Sequence, residues 1–250
     1  MSCINIVSKD ATSVITMSRG KVNAINPDFV AELSGHLAEL ADNPEVKTVV
    51  LTGNGKFFSF GFDIPEMYDY SKEEFTRFLV SFCNLYRDLF LFPKPVIAAI
   101  NGHAVAGGCI LALACDYRMM IDDSAKMALN EVTFGASIFA GTVAMLKHCV
   151  GNRAAEKVLL TGHMFSPKEA LELGLADELV KADNLMESTT LKAEEYGRRY
   201  SPAFTSLKRL LRQPVVDEWS DREEESIREF VEIWYSPETR AQTKKIVIRS

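Results

Sequence analysis

The chain has 250 residues, 47% of them hydrophobic and 25% charged, the proportions of an ordinary globular protein able to bury one large core. A formal net charge of -6 excludes a general nucleic-acid surface, which needs a field of Lys and Arg, yet leaves room for one small anionic ligand. The longest apolar runs, 96–100 and 109–115, are too short to span a bilayer, and residues 1–10 lack the basic start and long apolar core of a signal peptide.

In chain order, residues 13–17 read as a strand. A helix follows in which Asn26 caps, Pro27 takes the first position, and Phe29, Val30, Leu33, Leu37 and Leu40 share one face. Residues 46–52 form a second strand that ends in the turn Gly53-Asn54-Gly55, with no third glycine to make a dinucleotide site. Residues 72–91 place Phe75, Phe78, Leu79, Phe82, Leu85 and Leu89 at helical spacing, a face the core claims. Residues 95–100 are nearly all apolar, which marks a strand buried on both faces. Strands alternating with helices predict an α/β protein.

Residues 101–116 read NGHAVAGGCILALACD, uncharged until Asp116. Two short strands follow at 117–121 and 126–129, and then the chain turns helical. Ser166-Pro167-Lys168-Glu169 is a capping box, Gly174 ends that helix, and Ser201-Pro202 starts another. Residues 217–235 set Glu223, Glu224 and Glu225 opposite Ile227, Phe230, Val231 and Trp234. Residues 1–200 are expected to form a core domain, and 201–250 a helical region packed on that core or on another subunit. Arg19, Lys21, Lys208, Arg209, Arg212, Lys244, Lys245 and Arg249 each read as solvated surface charge. Cys3, Cys83, Cys109, Cys115 and Cys149 are odd in number and mostly in apolar sequence, which suits buried free thiols in a cytoplasmic protein.

There is no G-x-S-x-G elbow, P-loop or H-E-x-x-H helix, and His36, His103, His148 and His163 lack ligand spacing, so no metal site is expected. What remains is a pair of backbone-permissive turns, 57–64 and 101–108. A helix opening at Gly107 and Gly108 would point unpaired N–H groups and a positive dipole end at a ligand, with no β-carbon in the way. Close packing is the other reading of such a glycine pair.

Four stretches together resemble the crotonase superfamily, the enoyl-CoA hydratase/isomerase family. They are NGKFFSFGFDIPEM at 54–67, KPVIAAINGHAVAGGCILALACDYR at 94–118, LNEVTFG at 129–135 and NRAAEKVLLTGHMFSPKEALELGLADELV at 152–180. The resemblance implies an α/β, crotonase-type spiral of ββα turns, with a helical C-terminal region that makes trimers or dimers of trimers. It implies acyl-CoA thioester substrates and no separate cofactor. The thioester oxygen would be held by the N–H groups of Phe62 and Gly107. Val22, Ala24, Phe60, Gly61, Asp63 and Ile64 would line the CoA path, and Lys244, Lys245 and Arg249 are candidates for its phosphates.

Family hydratases use two glutamates. The first position falls here on Ile110, which can neither position water nor carry a proton. The second falls on Glu131, an acid after an apolar strand that would otherwise read as a cap. One glutamate at this place resembles the family's Δ3,Δ2-enoyl-CoA isomerases, with Glu131 moving a proton from C2 to C4 of a dienolate. Ile110, Phe134, Ile138 and Phe139 suit a dry acyl pocket or, equally, plain core. The alternatives are a hydratase, hydrolase or decarboxylase using His103 or Asp63 as base, and a non-catalytic acyl-CoA-binding subunit.

Overall fold

The computed structural model describes residues 2–246. The first sheet opens with an antiparallel pair, β1 (Ile4–Lys9) and β2 (Thr12–Met17), registered from Ile4 opposite Met17 to Lys9 opposite Thr12. From there β3 (Thr48–Gly53), β5 (Val96–Ile100), β7 (Tyr117–Ile121) and β9 (Glu178–Val180) extend it in parallel, in the order β1-β2-β3-β5-β7-β9. The intervening short strands β4 (Phe57–Ser59), β6 (His103–Val105) and β8 (Met127–Ala128) form a second, all-parallel sheet.

Helices close each pass. α1 (Pro27–Asp42) follows β2, α2 (Ile64–Met67) and α3 (Lys72–Phe90) follow β4, and α4 (Gly107–Ala114) follows β6. α5 (Ala140–Thr161) and α6 (Pro167–Leu173) come after β8. The result is the expected ββα spiral; its central parallel strands β3, β5 and β7 are mostly buried because helices cover them, while β9 at the edge is half-buried. Every residue of β5 is buried, and α7 (Leu185–Arg199) packs on β3 and β5.

The expected caps are present. The Asn26 side chain accepts from the Phe29 N–H at 3.0 Å, and Ser166 and Glu169 form a reciprocal capping box before Gly174 ends α6 at φ +78°. At the far end of α1, buried Lys94 donates to the carbonyls of Leu40 and Asn43 at 2.6 Å each, satisfying groups the helix leaves open.

The C-terminal region differs from expectation. One helix, α8 (Pro202–Trp234), replaces the two read from the sequence, and it runs through Pro214. Pro214 is exposed, and packing of α8 against α3 and α5 outweighs its missing N–H bond. α9 (Pro237–Thr243) follows. No helix among the described residues is long and apolar enough to cross a membrane.

Lys208 and Arg212 are not surface charges. Both are buried against Asp116, whose carboxylate accepts from Lys208 Nζ at 2.6 Å, Arg212 Nη2 at 2.9 Å and the Val96 N–H at 2.7 Å. Arg212 also donates to the Phe90 and Ala114 carbonyls, so this pair of cations ties α8 to the end of α4. Glu223 likewise leaves the solvated face. It accepts from the Tyr86 hydroxyl and, at 2.7 Å, from the Gly141 N–H, while Ser226 accepts from the Ala140 N–H at 3.0 Å. Together the two side chains cap α5 from α8.

Candidate active site

The two glycine turns press against each other. Gly61 has φ +88°, and a β-carbon there would stand 2.9 Å from the Ala106 Cβ and 3.0 Å from the Val105 carbonyl oxygen. One on Gly108 would stand 2.2 Å from the Ser59 carbonyl oxygen, so only glycine lets these segments meet. Asn23, fully buried at φ +51°, braces the same loop by donating from Nδ2 to the carbonyls of Asn54 and Phe57.

Two N–H groups emerge from this contact. Gly107 is the first residue of α4, a position whose N–H has no partner within the helix. Phe62 lies between two bonded neighbours: Ile25 N–H donates to Gly61 O at 2.8 Å, and Asp63 N–H donates to Ile25 O at 2.9 Å. Among the described residues nothing accepts from the Phe62 N–H itself. Ala106, just before Gly107, holds φ +50°, an unfavourable conformation for a residue with a β-carbon.

Both N–H-bearing residues line a cavity of about 280 Å³ whose walls are mostly aromatic and aliphatic. Glu131 enters it from the start of a 3-10 turn (Glu131–Phe134), which closes on Gly135 at φ +79°. Thr239 of α9 donates to the Gly135 carbonyl at 2.6 Å and pins that turn. The residue as a whole is partly buried, but its Oε2 is closed off from solvent and has no hydrogen-bond partner. Burial, only partly offset by a hydrogen bond from its own backbone N–H, pushes the Glu131 carboxyl up to about 7.

Phe60, Phe62, Ile64, Gly107, Ile110 and Glu131 all face this one cavity, together with Phe134, Ile138 and Phe139. Gly61 serves it through the close approach described above. Val22, Ala24 and Asp63 do not line it. The Val22 and Ala24 carbonyls accept from the Phe60 N–H at 3.0 Å and from Arg19 at 3.1 Å. The Asp63 carboxylate binds Arg19 at 2.6 Å and caps α2, so it is not free to act as a base. His103 is off the wall as well, its ring 5.2 Å from that of Phe57, and burial lowers its pKa.

Sequence reasoning missed several wall residues. Val105, Ala106 and Asn130 adjoin residues it named; Phe230, Trp234 and Ile246 come from the C-terminal region. The signal for Phe230 and Trp234 was their shared helical face, whose partner could not be read. Lys244 and Lys245 are exposed next to Ile246, and Arg249 lies outside the described residues. All five cysteines are free.

A family model described as Enoyl-CoA hydratase/isomerase matches residues 8–245. The chain is 30% identical over 230 residues to enoyl-CoA delta isomerase 1, mitochondrial, of Rattus norvegicus, covering 90% of this chain and 80% of that one. It is 35% identical over 178 residues to the short-chain-enoyl-CoA hydratase of Clostridium acetobutylicum, covering 70% and 68%. Human mitochondrial delta3-delta2-enoyl-CoA isomerase superposes with a TM-score of 0.91 over 97% of this chain and 96% of that one, at 26% identity.

Proposed function

The chain belongs to the enoyl-CoA hydratase/isomerase family, and from that premise we propose that it shifts the double bond of a 3-enoyl-CoA to C2, with Glu131 as its one base. Ionised Glu131 removes a proton from C2. The electron pair delocalises into a dienolate whose oxygen accepts from the Phe62 and Gly107 N–H groups. The same carboxyl, now neutral, returns the proton at C4, so the catalyst ends as it began and no water is consumed.

A solitary carboxylate carries this reading. Among the described residues Glu131 is the cavity's only acid, and the place where a hydratase would put a second one holds Ile110, 1% exposed. A carboxyl near 7 is well matched to removing and returning a proton at neutral pH, and apolar walls keep water from the intermediate. The relative named a delta isomerase supports the same choice, while the relative named a hydratase defines the competing one.

The test compares substrates. Purified protein is expected to convert a 3-enoyl-CoA into the absorbing, conjugated 2-enoyl-CoA, and Glu131→Gln to abolish this with thioester binding retained. Rapid water addition to a 2-enoyl-CoA that survives Glu131→Gln would establish the hydratase reading instead. Binding without turnover of any thioester would leave an acyl-CoA-binding subunit. We also expect a trimer or dimer of trimers, for which α8 offers exposed Leu207, Leu210 and Leu211; sedimentation measures it.

A further inference from the structure

We propose that Arg19 is a positioning residue that sets the aim of the Phe62 N–H. Its guanidinium is mostly buried beside the turn that carries this donor, and it makes a three-point clamp. Nη1 donates to the Ala24 carbonyl at 3.1 Å and to Asp63 Oδ2 at 2.6 Å, and Nη2 donates to Glu66 Oε2 at 2.7 Å. Ala24 and Asp63 are the residues next to the Ile25–Phe62 bridge on either strand, so one planar cation holds both sides of the segment from which the Phe62 N–H projects.

The anionic side of the clamp is itself held. Asp63 Oδ1 accepts from the Glu66 N–H at 3.3 Å, and Glu66 accepts from Tyr70 Oη at 2.8 Å and from Asn26 Nδ2 at 3.1 Å and 3.2 Å. Asn26 is also the cap of α1. The loop between Gly61 and Ile64 thus rests on its backbone bridge to Ile25 and on Arg19, which ties it to Glu66 of α2, and Glu66 in turn holds Asn26, the cap of α1. The other donor needs no such help, because Gly107 is held by α4.

This assignment rests on the oxyanion role proposed for Phe62. It is tested with Arg19→Met, Arg19→Lys and Glu66→Gln, and with Arg153→Met, whose side chain is 96% exposed, as control. Turnover of a 3-enoyl-CoA is measured with thermal unfolding and with the pH midpoint at which bound acetoacetyl-CoA becomes its absorbing enolate. In Arg19→Met, kcat is expected to fall about 10- to 100-fold with KM within about threefold of wild type, as for a donor misplaced by an ångström. The enolate midpoint rises by about one pH unit, because the oxyanion loses stabilisation. Arg19→Lys and millimolar guanidinium each recover part of both, and the control matches wild type.

A folded Arg19→Met with wild-type kcat and enolate midpoint would overturn the proposal. So would a loss that guanidinium and lysine leave untouched and that follows only the unfolding temperature. Should Arg19→Met not fold, Arg19→Lys and Glu66→Gln carry the same readouts, and an unshifted midpoint in both rejects it. Should wild type not turn over 3-enoyl-CoA, the isomerase reading fails, while the enolate midpoint still decides the role of Arg19.

Discussion

Asp116 and Glu131 are both carboxylates sunk into the fold, and the chain surrounds them in opposite ways. Asp116 sits at the seam between α4 and α8 with three donors, two of them cations. Glu131 faces an apolar cavity, and its Oε2 has none. A charge matched by partners is committed to holding elements together, and removing it strands the groups it satisfied. A carboxyl that is buried but unmatched gains proton affinity instead, and that makes it chemically useful.

The largest expected effect falls on the unmatched one. Glu131→Gln keeps the shape of the side chain and removes the proposed base, so kcat for a 3-enoyl-CoA should fall by about 10⁴, the upper range for a general base. The matched carboxylate should show the converse. Asp116→Ala leaves Lys208 and Arg212 buried without their anion and should destabilise the fold by about 3–5 kcal/mol in urea titrations. Activity per folded molecule should stay within about twofold of wild type, since no Asp116 atom faces the cavity. Equal losses of activity and stability in both variants would erase the contrast.

A pH series sharpens the comparison. Glu131 has a folded value near 7, above the ordinary 4.5, so between these limits the native state binds more protons than the unfolded chain. Stability therefore falls as pH rises through that window, and above about pH 7 the cost is fully present, at most about 3 kcal/mol. Glu131→Gln should be more stable than wild type at pH 8, and the gain should vanish near pH 4. With ionised Glu131 as the proposed base, the kcat/KM of the wild type should rise with pH to a plateau above about 7. A stability difference independent of pH would show that the carboxyl is solvated.

Local signals were legible where one residue type does one physical task. Asn26 and the Ser166 box cap helices as read, the apolar run at 95–100 is a buried strand, and the two glycine turns meet. The short strands β1, β4, β6 and β9 were not read, because three to six residues carry too little pattern without the sheet that pairs them. The front of α8 misled more seriously. Leu207, Leu210 and Leu211 point outward, while Lys208 and Arg212 head the buried stripe that continues through Val216 and Trp219. The spacing of those four residues is helical, so the stripe was visible; that two cations belonged to it required knowing that Asp116 lies beneath. The cavity followed the same rule: Glu131 and the glycines were local, and its Phe230–Trp234 wall was tertiary.

The smallest expected effect concerns Ala106. At φ +50° and ψ -123° its β-carbon is in a region suited to glycine, next to Gly107, the residue proposed to supply the second oxyanion donor. Ala106→Gly removes strain of about 1–3 kcal/mol. It also adds about 0.5–1 kcal/mol of backbone entropy to the unfolded chain, so a net gain of about 1 kcal/mol is expected in urea unfolding. If alanine is tolerated here only by accident, kcat should not change. If its stiffness helps hold the Gly107 N–H in place, the more stable variant should also be slower, by about threefold, with KM unmoved. We expect the second outcome. Ala106 lies against the glycine-permitted contact with Gly61 and its N–H is fixed to Ala128 O at 2.8 Å, so the peptide leading into Gly107 is held from both sides. Glycine would keep the bond to Ala128 and lose only the β-carbon that stiffens this peptide against Gly61, so Gly107, which α4 already holds, loses a small part of its positioning.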